Sequence, residues 1–347
     1  MILRLLIVKL SALGDVIQTL PALALLRRDW PEAQIDWVVE ERNAELLQGH
    51  PYLRRLIPFR KEFLSRPKEL KSFLKSLRQE YYEAIIDFQG LLKSALMARL
   101  ARGRLRFGFA NHREGSPFFY TVKFQPYDPE LHAVRRYLLL AKKVTLYLRY
   151  GKEFDPEEPL EFIRDIPLEG KKPEGFLFPK PYFLFVPSAR WKTKLWPFTY
   201  WEELLALLEE YREDFDIYFV GAKGEQAEPY AEAMARKYKG VFTLIGKLSL
   251  RELVYVMRGA LGVVTVDTGP MHLASLLNKP IIALFGPTSP ERTGPWSDYS
   301  RVLQANLLCS PCFRRQCRDR ACMYSLKPET VFQEMQYLLR NLPKIRT

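Results

Sequence analysis

The segment VVTVDTGPMHLASLL, residues 263–277, places anion-binding residue types at the end of a strand-like run. The β-branched residues stop at Asp267, Thr268 and Gly269, and a helix-like apolar pattern follows with His272 in its first turn. Glycine permits close approach by a ligand, and a helix N-terminus presents unpaired N–H groups and a positive dipole. The segment therefore predicts a phosphate site. The alternative is that Asp267 or Thr268 only caps the helix and His272 only packs.

Two neighbouring loops strengthen the prediction of a nucleotide in this half of the chain. Arg190, Lys192 and Lys194 follow the strand-like YFLFVPS and can neutralise a diphosphate without a metal ion. A glycine turn in FVGAKG precedes Glu225, which is placed to bind a ribose hydroxyl, although an acid also suits any first helical turn. The first strand has no Gly-x-Gly-x-x-Gly after it, and the chain has no Walker loop. A dinucleotide dehydrogenase and a phosphate-loop ATPase are therefore poor fits.

A candidate general base lies near the N-terminus. The strand-like RLLIVKL is followed by Ser11, by Gly14, which allows close backbone approach, and by Asp15 at the start of a helix. The helix dipole favours the charged form of that carboxylate, so Asp15 can accept a proton. The alternative is that Asp15 is only a helix N-terminal acid.

The net charge is +13, and two dense clusters of basic residues lie in the first half of the chain. The segment 60–78 is rich in lysine and arginine, and a second group of arginines lies within 99–113. Such clusters suit nucleic acid, anionic lipid or a phosphorylated substrate. The alternative is a solvated helix face.

The four cysteines all fall within one short segment, CSPCFRRQCRDRAC. Their spacing matches no zinc signature, so we expect no metal there and interpret Cys309, Cys312, Cys317 and Cys322 as a structural cluster. No apolar run reaches the ~20 residues of a membrane span, and the N-terminal apolar run is broken by charges. We therefore expect a cytoplasmic, unprocessed protein.

Strand-like runs alternate with helical patterns in both halves, which predicts an α/β fold with parallel sheets. We expect two doubly wound, Rossmann-like domains facing a cleft, with ligands at the carboxyl ends of the strands. The predicted boundaries are an N-terminal Rossmann-like domain at 1–166, a linker at 167–181, a second Rossmann-like domain at 182–326, and a C-terminal helix at 327–347 that could pack back on the N-terminal domain. The family resemblance described next implies that the first domain binds the acceptor and the second the nucleotide sugar.

The motifs VKLSALGDVIQTLPAL, DFQGLLKSALMARLA, KLWP, VDTGPMHLA and FGPTSPERTGP together resemble the lipopolysaccharide heptosyltransferases of glycosyltransferase family 9. The likeness runs in order over nearly the whole chain. It implies the two-Rossmann GT-B architecture and an inverting transfer of heptose from ADP-L-glycero-D-manno-heptose, the donor substrate, with no cofactor and no metal. DFQGLLKSA and NHREGSPFFY are most similar to the members that add the first heptose, to a Kdo sugar on lipid A.

The resemblance also implies roles for individual residues. Asp15 matches the general base that deprotonates the acceptor hydroxyl. The residues implied at the donor are Gly14, Ser188, Lys194, Glu225, Leu248 near adenine, Asp267, Thr268, Gly269 and His272. The residues implied at the phosphate- and carboxylate-bearing acceptor are Ser11, Arg60, Lys61, Arg66 and Arg113.

The acceptor stays open at this point, because the cysteine-rich segment is more similar to other family members, including those that add the second heptose. The alternative is therefore the same chemistry with a different acceptor or sugar. The expected partners are Kdo-lipid A and an anionic membrane surface, with the protein a monomer, peripheral on the cytoplasmic face of the inner membrane. The rival classes are a basic nucleic-acid-binding protein and a nucleotide-binding regulator. The first lacks any recognisable nucleic-acid module, and the second leaves Asp15 unexplained, so we expect no nucleic acid.

Overall fold

The computed structural model describes residues 2–156, 160–164 and 166–346. The chain divides into two compact units, Met1–Glu169 and Gly170–Thr347. Each unit contains one six-stranded sheet in which every neighbouring pair of strands is parallel. The prediction of a doubly wound α/β fold is therefore confirmed for both units. Among the described helices, none is long and apolar enough to cross a membrane.

The elements of the first unit alternate along the chain as the sequence pattern predicts. In order they are β1 Arg4–Val8, α1 Leu13–Asp29, β2 Gln34–Glu40, α2 Glu41–Leu47, β3 Arg55–Phe59, α3 Pro67–Leu77, β4 Tyr81–Asp87, α4 Leu92–Leu100, β5 Arg102–Phe109, β6 Val122–Phe124 and α5 Ala133–Tyr150. The central strands β1, β2 and β4 are almost wholly buried because helices cover the sheet.

The strand order of the first sheet is β3-β2-β1-β4-β5-β6. The chain runs outward from β1 in one direction and then returns to continue from β4 in the other. The point of reversal therefore lies between β1 and β4. In open sheets of this kind, ligands bind beyond the carboxyl ends of the strands at that point. The loops that follow β1 and β4 are thus the candidate site of the first unit.

The second unit repeats this plan. Its elements are β7 Tyr182–Val186, α6 Phe198–Leu207, β8 Asp216–Phe219, α7 Glu228–Lys237, β9 Val241–Thr243, α8 Leu250–Gly259, β10 Gly262–Val266, α9 Gly269–Leu276, β11 Ile281–Phe285, α10 Pro290–Thr293, β12 Ser300–Gln304, α11 Ala321–Tyr324 and α12 Pro328–Arg346. The strand order is β12-β11-β10-β7-β8-β9, so the point of reversal lies between β7 and β10. The loops after β7 and β10 are the equivalent candidate site.

The division between the units falls inside the predicted linker, and the rest of that segment packs on the second unit. The backbone N–H of Lys171 donates to the carbonyl of Arg251 over 3.0 Å, and the ring of Phe178 stacks on Tyr182 with centroids 4.9 Å apart. The residues after 169 are therefore part of the second unit and not a free connection.

The C-terminal helix α12 also belongs to the second unit. Val331, Met335 and Leu338 are buried in its hydrophobic core, and α12 contacts α6 and β11. The spacing of these three residues places them on one face of the helix. We had expected a separate segment that could pack back on the N-terminal domain. These three residues of the helix are part of the core of the second unit. Packing of the helix on the N-terminal domain stays a prediction.

Three strands of the first unit, β3, β5 and the three-residue β6, were not expected from the sequence. Strand β3 is short and contains a proline, and β5 begins with Arg102, Arg104 and Arg106 at alternate positions, which we had interpreted only as a basic cluster. Alternate residues of a strand point to the same side, so these arginines share one side of β5. They lie at its amino end, opposite the edge at which ligands bind.

Candidate active site

The first candidate site is built around Asp15, which lies in the first turn of α1 directly after β1. Its Oδ2 accepts a hydrogen bond from the backbone N–H of Ala12 over 2.9 Å, so this carboxylate does cap its own helix. Its Oδ1 accepts a hydrogen bond from the hydroxyl of Tyr137 over 3.2 Å. The side chain remains 42 % exposed. The helix-acid interpretation is therefore correct but incomplete, because Tyr137 lies 122 residues away and orients the same carboxylate.

Lys9 completes a chain of polar contacts behind Asp15. Its ammonium is buried and donates to the hydroxyl of Tyr137 over 2.8 Å and to the carbonyl of Phe88 over 3.2 Å. It also lies 3.9 Å from Asp15 Oδ1. Burial lowers the pKa of Lys9, and the negative charge of Asp15 opposes that shift. Burial and Asp15 raise the pKa of Tyr137 well above its ordinary value of 10, so its hydroxyl stays protonated as a donor at neutral pH.

The loop after β4 holds this arrangement in place. The side-chain oxygen of Gln89 accepts hydrogen bonds from the backbone N–H groups of Leu10 and Ser11, each over 3.2 Å. Asp87, fully buried, accepts hydrogen bonds from the backbone N–H groups of Gln89 and Gly90 over 2.9 and 3.0 Å. The Gln89 bonds join the loops after β1 and β4, and the Asp87 bonds fix the loop after β4. Ser11 therefore lies in the same loop cluster as Asp15.

The second candidate site is built around Lys194 and Asp267. Lys194 lies in a short 3₁₀ turn after β7, and Asp267 directly follows β10. The ammonium of Lys194 donates to Asp267 Oδ2 over 2.6 Å and lies 4.7 Å from the centre of the Trp191 ring. Asp267 is buried and Lys194 is mostly buried. The pair joins the two strand ends at the reversal point of the second sheet.

The N-terminus of α9 opens beside this ion pair. Thr268 occupies the N-cap position with an extended backbone but makes no capping hydrogen bond through its side chain. Gly269 is the first helical residue. His272 is buried one turn further, and its ring stacks on Trp296 with centroids 6.0 Å apart. The capping interpretation therefore does not account for Thr268, and the N–H groups of this first turn face the same strand-end edge as Lys194.

Ser188, Gly221 and Glu225 lie together at the ends of β7 and β8. A Cβ added at Gly221 would lie 2.6 Å from Glu225 Oε2 and 3.4 Å from Ser188 Oγ, so all three are in close contact. Glu225 also accepts a hydrogen bond from the backbone N–H of Ala222 over 3.0 Å. The buried hydroxyl of Ser188 has no hydrogen-bond partner within the part of the chain that the structure describes. A carboxylate and a hydroxyl with spare capacity therefore meet where the backbone has no side chain to obstruct a ligand.

The remaining predicted residues are placed as follows. Leu248 is half-buried in the loop after β9, which is tied to the β8 loop by the backbone N–H of Gly246 donating to Gly221 over 3.0 Å. Gly14 is buried in the first turn of α1. Arg113 lines the pocket that contains Asp15.

The basic residues after β3 lie on an exposed segment at the carboxyl edge of the first sheet. Arg60 pairs with Glu41, and Arg66 pairs with Glu69 over 3.0 Å. Arg60, Lys61 and Arg66 do not line the pocket that contains Asp15. Their role in acceptor binding stays a prediction.

The four cysteines are free thiols that line one cavity of about 60 Å³. Among the described residues, no three or more His, Cys, Asp or Glu side chains are grouped so that they could hold a metal ion. The cysteine segment contacts the Lys194 loop instead. The hydroxyl of Thr193 donates to the carbonyl of Arg314 over 2.9 Å, and Arg320 donates to the carbonyl of Lys192 over 3.3 Å. The segment therefore supports the turn that carries Lys194.

Comparison with known proteins gives the family of the chain. The family model for glycosyltransferase family 9 (heptosyltransferase) matches residues 70–323. The chain belongs to glycosyltransferase family 9. Lipopolysaccharide heptosyltransferase 1 of Pseudomonas aeruginosa is 32% identical to this family 9 chain, covering 97% of it and 98% of the relative. The Escherichia coli K12 protein of the same name is 33% identical over 87% of this chain and 93% of its own length.

Solved structures of the family have the same fold. Escherichia coli heptosyltransferase WaaC with ADP matches with a TM-score of 0.76 and 30% identity, covering 97% of this chain and all of that one. Escherichia coli ADP-heptose lipopolysaccharide heptosyltransferase II matches with a TM-score of 0.77 at 22% identity, which supports the fold alone. This family 9 member is thus a glycosyltransferase with two Rossmann-like domains of the GT-B architecture.

Sequence reasoning missed several residues that the fold of this glycosyltransferase brings to the first site. Tyr137, Arg136 and His112 line the pocket with Asp15, yet they lie on α5 and in the loop after β5. Tyr137 and Arg136 sit in an ordinary helical pattern, so no local signal marks them. His112 and Gln89 were quoted only as parts of family motifs. For Gln89, the position directly after β4 was the one available signal, once the reversal point was known.

Proposed function

We propose that this glycosyltransferase transfers heptose from ADP-heptose to a Kdo sugar of lipid A, with inversion at the anomeric carbon. One observation carries the proposal. Each unit has one of the two groups that a sugar transfer needs, and each group lies at the reversal point of its sheet. The first unit has an oriented carboxylate, Asp15, that can accept a proton. The second has a lysine and the N–H groups of a helix N-terminus, which suit a phosphate. The identity of 32–33% with enzymes named lipopolysaccharide heptosyltransferase 1 supports the choice of sugar and acceptor.

In the proposed reaction, the carboxylate of Asp15 accepts the proton of the acceptor hydroxyl. The oxygen of that hydroxyl forms a bond to the anomeric carbon of heptose as the bond from this carbon to the diphosphate oxygen breaks. A single displacement of this kind inverts the anomeric configuration. The hydroxyl of Tyr137 donates to Oδ1 of Asp15 and the N–H of Ala12 donates to Oδ2, so the carboxylate is held in one orientation.

The leaving ADP gains negative charge as the sugar departs. Lys194 and the N–H groups at the start of α9 supply fixed positive charge and donors for it, which lowers the barrier electrostatically. Asp267 holds the ammonium of Lys194 in place before the donor arrives. Ser188 and Glu225 would bind hydroxyl groups of the nucleoside, and Leu248 would lie against the adenine.

The acceptor surface and the membrane are part of the proposal. Leu64 is 66% exposed and lies between Arg60, Lys61 and Arg66 on the segment after β3. An apolar side chain flanked by cations suits an anionic bilayer surface, which would place the enzyme peripherally at the cytoplasmic face of the inner membrane. Co-sedimentation with vesicles containing anionic lipid, and its loss in Leu64→Ser, tests this placement.

A second acceptor has one observation in its favour. The cysteine segment at 309–322 resembles family members that add the second heptose. Against it, the curated Escherichia coli K12 lipopolysaccharide heptosyltransferase 2 is 26% identical to this chain, below the heptosyltransferase 1 relatives. We therefore prefer Kdo-lipid A and treat heptosylated Kdo-lipid A as the competing acceptor.

The decisive experiment measures ADP release from ADP-heptose with Kdo-lipid A, with heptosylated Kdo-lipid A, and with no acceptor. We expect release that depends on Kdo-lipid A and falls by ~10²–10⁴ in Asp15→Asn while ADP affinity is unchanged. Release only with the heptosylated acceptor would assign the second-heptose reaction. An Asp15→Asn variant as fast as the parent would remove Asp15 from the role of base.

A further inference from the structure

One side of the first sheet is covered by a 3₁₀ turn and by two helices. Phe63 of the turn Lys61–Ser65, Phe73 of α3 and Met97 of α4 pack in one hydrophobic cluster against the strands. The turn and both helices therefore lie on the same side of the sheet. Their outward residues form one surface, which we call the α3–α4 face.

Helix α4 exposes a row of leucines on this face. Leu92, Leu96 and Leu100 recur every four residues, so they lie along one side of the helix, and each is between 40 and 46% exposed. Met97 and Ala98, on the other side, are buried in the cluster. A surface helix usually has apolar residues only on its buried side. Helix α4 has them on both sides, and the leucine row is the side that faces solvent.

Phe118 extends the leucine row. It lies in the 3₁₀ turn Ser116–Phe119, which contacts α4, and it is 86% exposed. The ammonium of Lys123 lies 6.0 Å from the centre of its ring. Single exposed apolar residues are ordinary, but a group of them bordered by charges marks an interaction surface.

Helix α3 adds a row of lysines to the same face. Lys68, Lys71 and Lys75 are spaced three and four residues apart, and all three are exposed. Phe73 and Leu77 are buried on the other side of the helix. Among the described residues, no carboxylate forms an ion pair with any of these three lysines. Their charges are therefore available to an anionic partner.

A cationic groove lies beside the lysine row. Its volume is about 820 Å³, and its lining residues are Ser72, Lys75, Ser76, Arg78, Gln79 and Arg102. Arg106 follows Arg102 on the same side of β5, and its Nε donates to the carbonyl of Ala98 in α4 over 3.0 Å. Burial lowers the pKa of Arg106, and the positive charge of Arg99 adds to that shift. Cations from α3, α4 and β5 thus lie near one another, and anions between them would relieve their repulsion.

We propose that the α3–α4 face docks on an anionic bilayer. The leucine row and Phe118 enter the boundary between headgroups and acyl chains, and the lysines and arginines bind the headgroups. Charge complementarity selects this occupant, because a second copy of the chain would bring the same cations together, and a nucleic acid would make no use of exposed leucines. The inference rests on the proposed function for the bilayer as partner, and it extends the contact from Leu64 to a whole face.

The leucine row begins at the edge of the sheet that carries the candidate base. Leu92 lies three residues after Gln89, whose side chain binds the loop of Ser11. The helix then runs along the sheet and ends at Leu100, before the start of β5. A bilayer bound along α4 therefore lies alongside the edge at which Asp15 is found, where a sugar carried on a lipid is presented.

The apolar part of the inference is tested by co-sedimentation with vesicles of phosphatidylglycerol and phosphatidylethanolamine that contain no acceptor. We expect Leu96→Ser/Leu100→Ser to lower the partition coefficient by ~10-fold, at low and at high salt, because burial of apolar surface is not screened. Leu177→Ser/Leu308→Ser, which removes two exposed leucines of the second unit, is the matched control and should bind as the parent does. Phe118→Ser tests the same row from outside α4, should the two serines disturb the helix.

The cationic part is tested with the same vesicles. Lys71→Gln/Lys75→Gln should weaken binding by ~5-fold for each lysine at low salt, and the difference should shrink as salt is added. Lys237→Gln/Lys239→Gln removes the same charge from exposed positions of the second unit and should have little effect. Vesicles of phosphatidylcholine alone should bind the parent weakly.

Four results would overturn the inference. They are parent-like vesicle binding by both the leucine variant and Phe118→Ser, equal effects of the two lysine pairs, a lipid-free dimer that the leucine variant loses, and binding to duplex RNA that needs the lysines but not the leucines. ADP release with Kdo-lipid A in detergent separates the face from the proposed function, and the leucine variant should match the parent there. Transfer in detergent by a parent that binds no vesicles would reject the face alone, whereas vesicle binding without transfer would reject the function alone.

Discussion

The ammonium of Lys194 lies 2.6 Å from Asp267 Oδ2 and joins the ends of β7 and β10, the two strands between which the chain order of the second sheet reverses. The two residues are 73 positions apart in the sequence. Their contact places a cation beside the N-terminus of α9, where a diphosphate can be bound by both. In the first unit, the ammonium of Lys9, directly after β1, donates to the carbonyl of Phe88, directly after β4, and lies 3.9 Å from Asp15 Oδ1.

Removal of Lys194 is expected to weaken ADP binding. A charge-assisted hydrogen bond contributes ~1.5–3 kcal/mol, so Lys194→Ala should raise the Kd for ADP by roughly 10–150-fold in a calorimetric titration. Lys237→Ala is the control, because Lys237 is an exposed lysine on α7 of the same unit and pairs with Glu202. Equal effects of the two variants would mean that only the general positive charge of the unit matters.

Loss of the Tyr137 hydroxyl is expected to change the pH dependence of transfer. Its hydrogen bond stabilises the charged form of Asp15, so Tyr137→Phe should move the acidic limb of the kcat/KM profile to higher pH. The rate at neutral pH should fall by about tenfold or less, because the base itself is retained. Tyr147→Phe, on the same helix with its ring packed against Phe107, should leave the profile where it is. An unshifted limb in Tyr137→Phe would show that this hydrogen bond does not tune the base.

His50 is expected to make the first unit less stable in acid. Burial lowers the pKa of His50 to about 4, below its ordinary 6.5, and its Nδ1 accepts the backbone N–H of Tyr52 over 3.2 Å. As pH falls from 6.5 to 4, the unfolded chain takes up a proton that the folded chain does not. Stability is therefore retained above pH 6.5 and lost through this window, by up to about 3 kcal/mol.

His50→Asn keeps a hydrogen-bond acceptor near the same place but cannot be protonated. Denaturant unfolding of this variant at pH 7 and pH 4.5 should show a smaller loss than the parent. Part of the loss should persist, because the pKa of His112 is also lowered, to about 3. Identical pH dependence in the two proteins would exclude His50 as a cause.

The four cysteines are expected to differ in reactivity in the native protein. Cys309 and Cys317 are exposed, whereas Cys322 is buried and its pKa is raised by burial and then by the neighbouring thiols. Because the thiolate is the reactive form, iodoacetamide should modify Cys309 and Cys317 first and Cys322 only after denaturant is added. Mass spectrometry of timed samples reports the order, with Cys309→Ser as the assignment control. Early modification of Cys322 would mean that the segment opens readily in solution.

The hydrophobic pattern of the sequence predicted much of the secondary structure, because strand and helix periodicity are local properties. β1, β7, β8, β10 and β11 lie within strand-like runs of the sequence, and β2 and β4 each begin one residue before theirs. The short strands β6, β9 and β12 were not expected, and β3 and β5 were missed for equally local reasons. Pro58 interrupts the first, and the arginines that alternate along the amino end of the second hide its strand pattern.

Asp15, Asp267 and Gly269 could be named as candidates from the sequence alone. Each follows a strand-like run and lies at or before a helix start, and that position needs only a few neighbouring residues to define it. The tertiary structure decided which of these strand ends adjoin one another. Tyr137 meets Asp15 across 122 positions because α5 packs on α1, and Arg136 and His112 reach the same pocket through the order of β4 and β5 in the sheet. Strand order depends on the free energy of the whole packed sheet, so no short stretch of sequence determines which strands become neighbours.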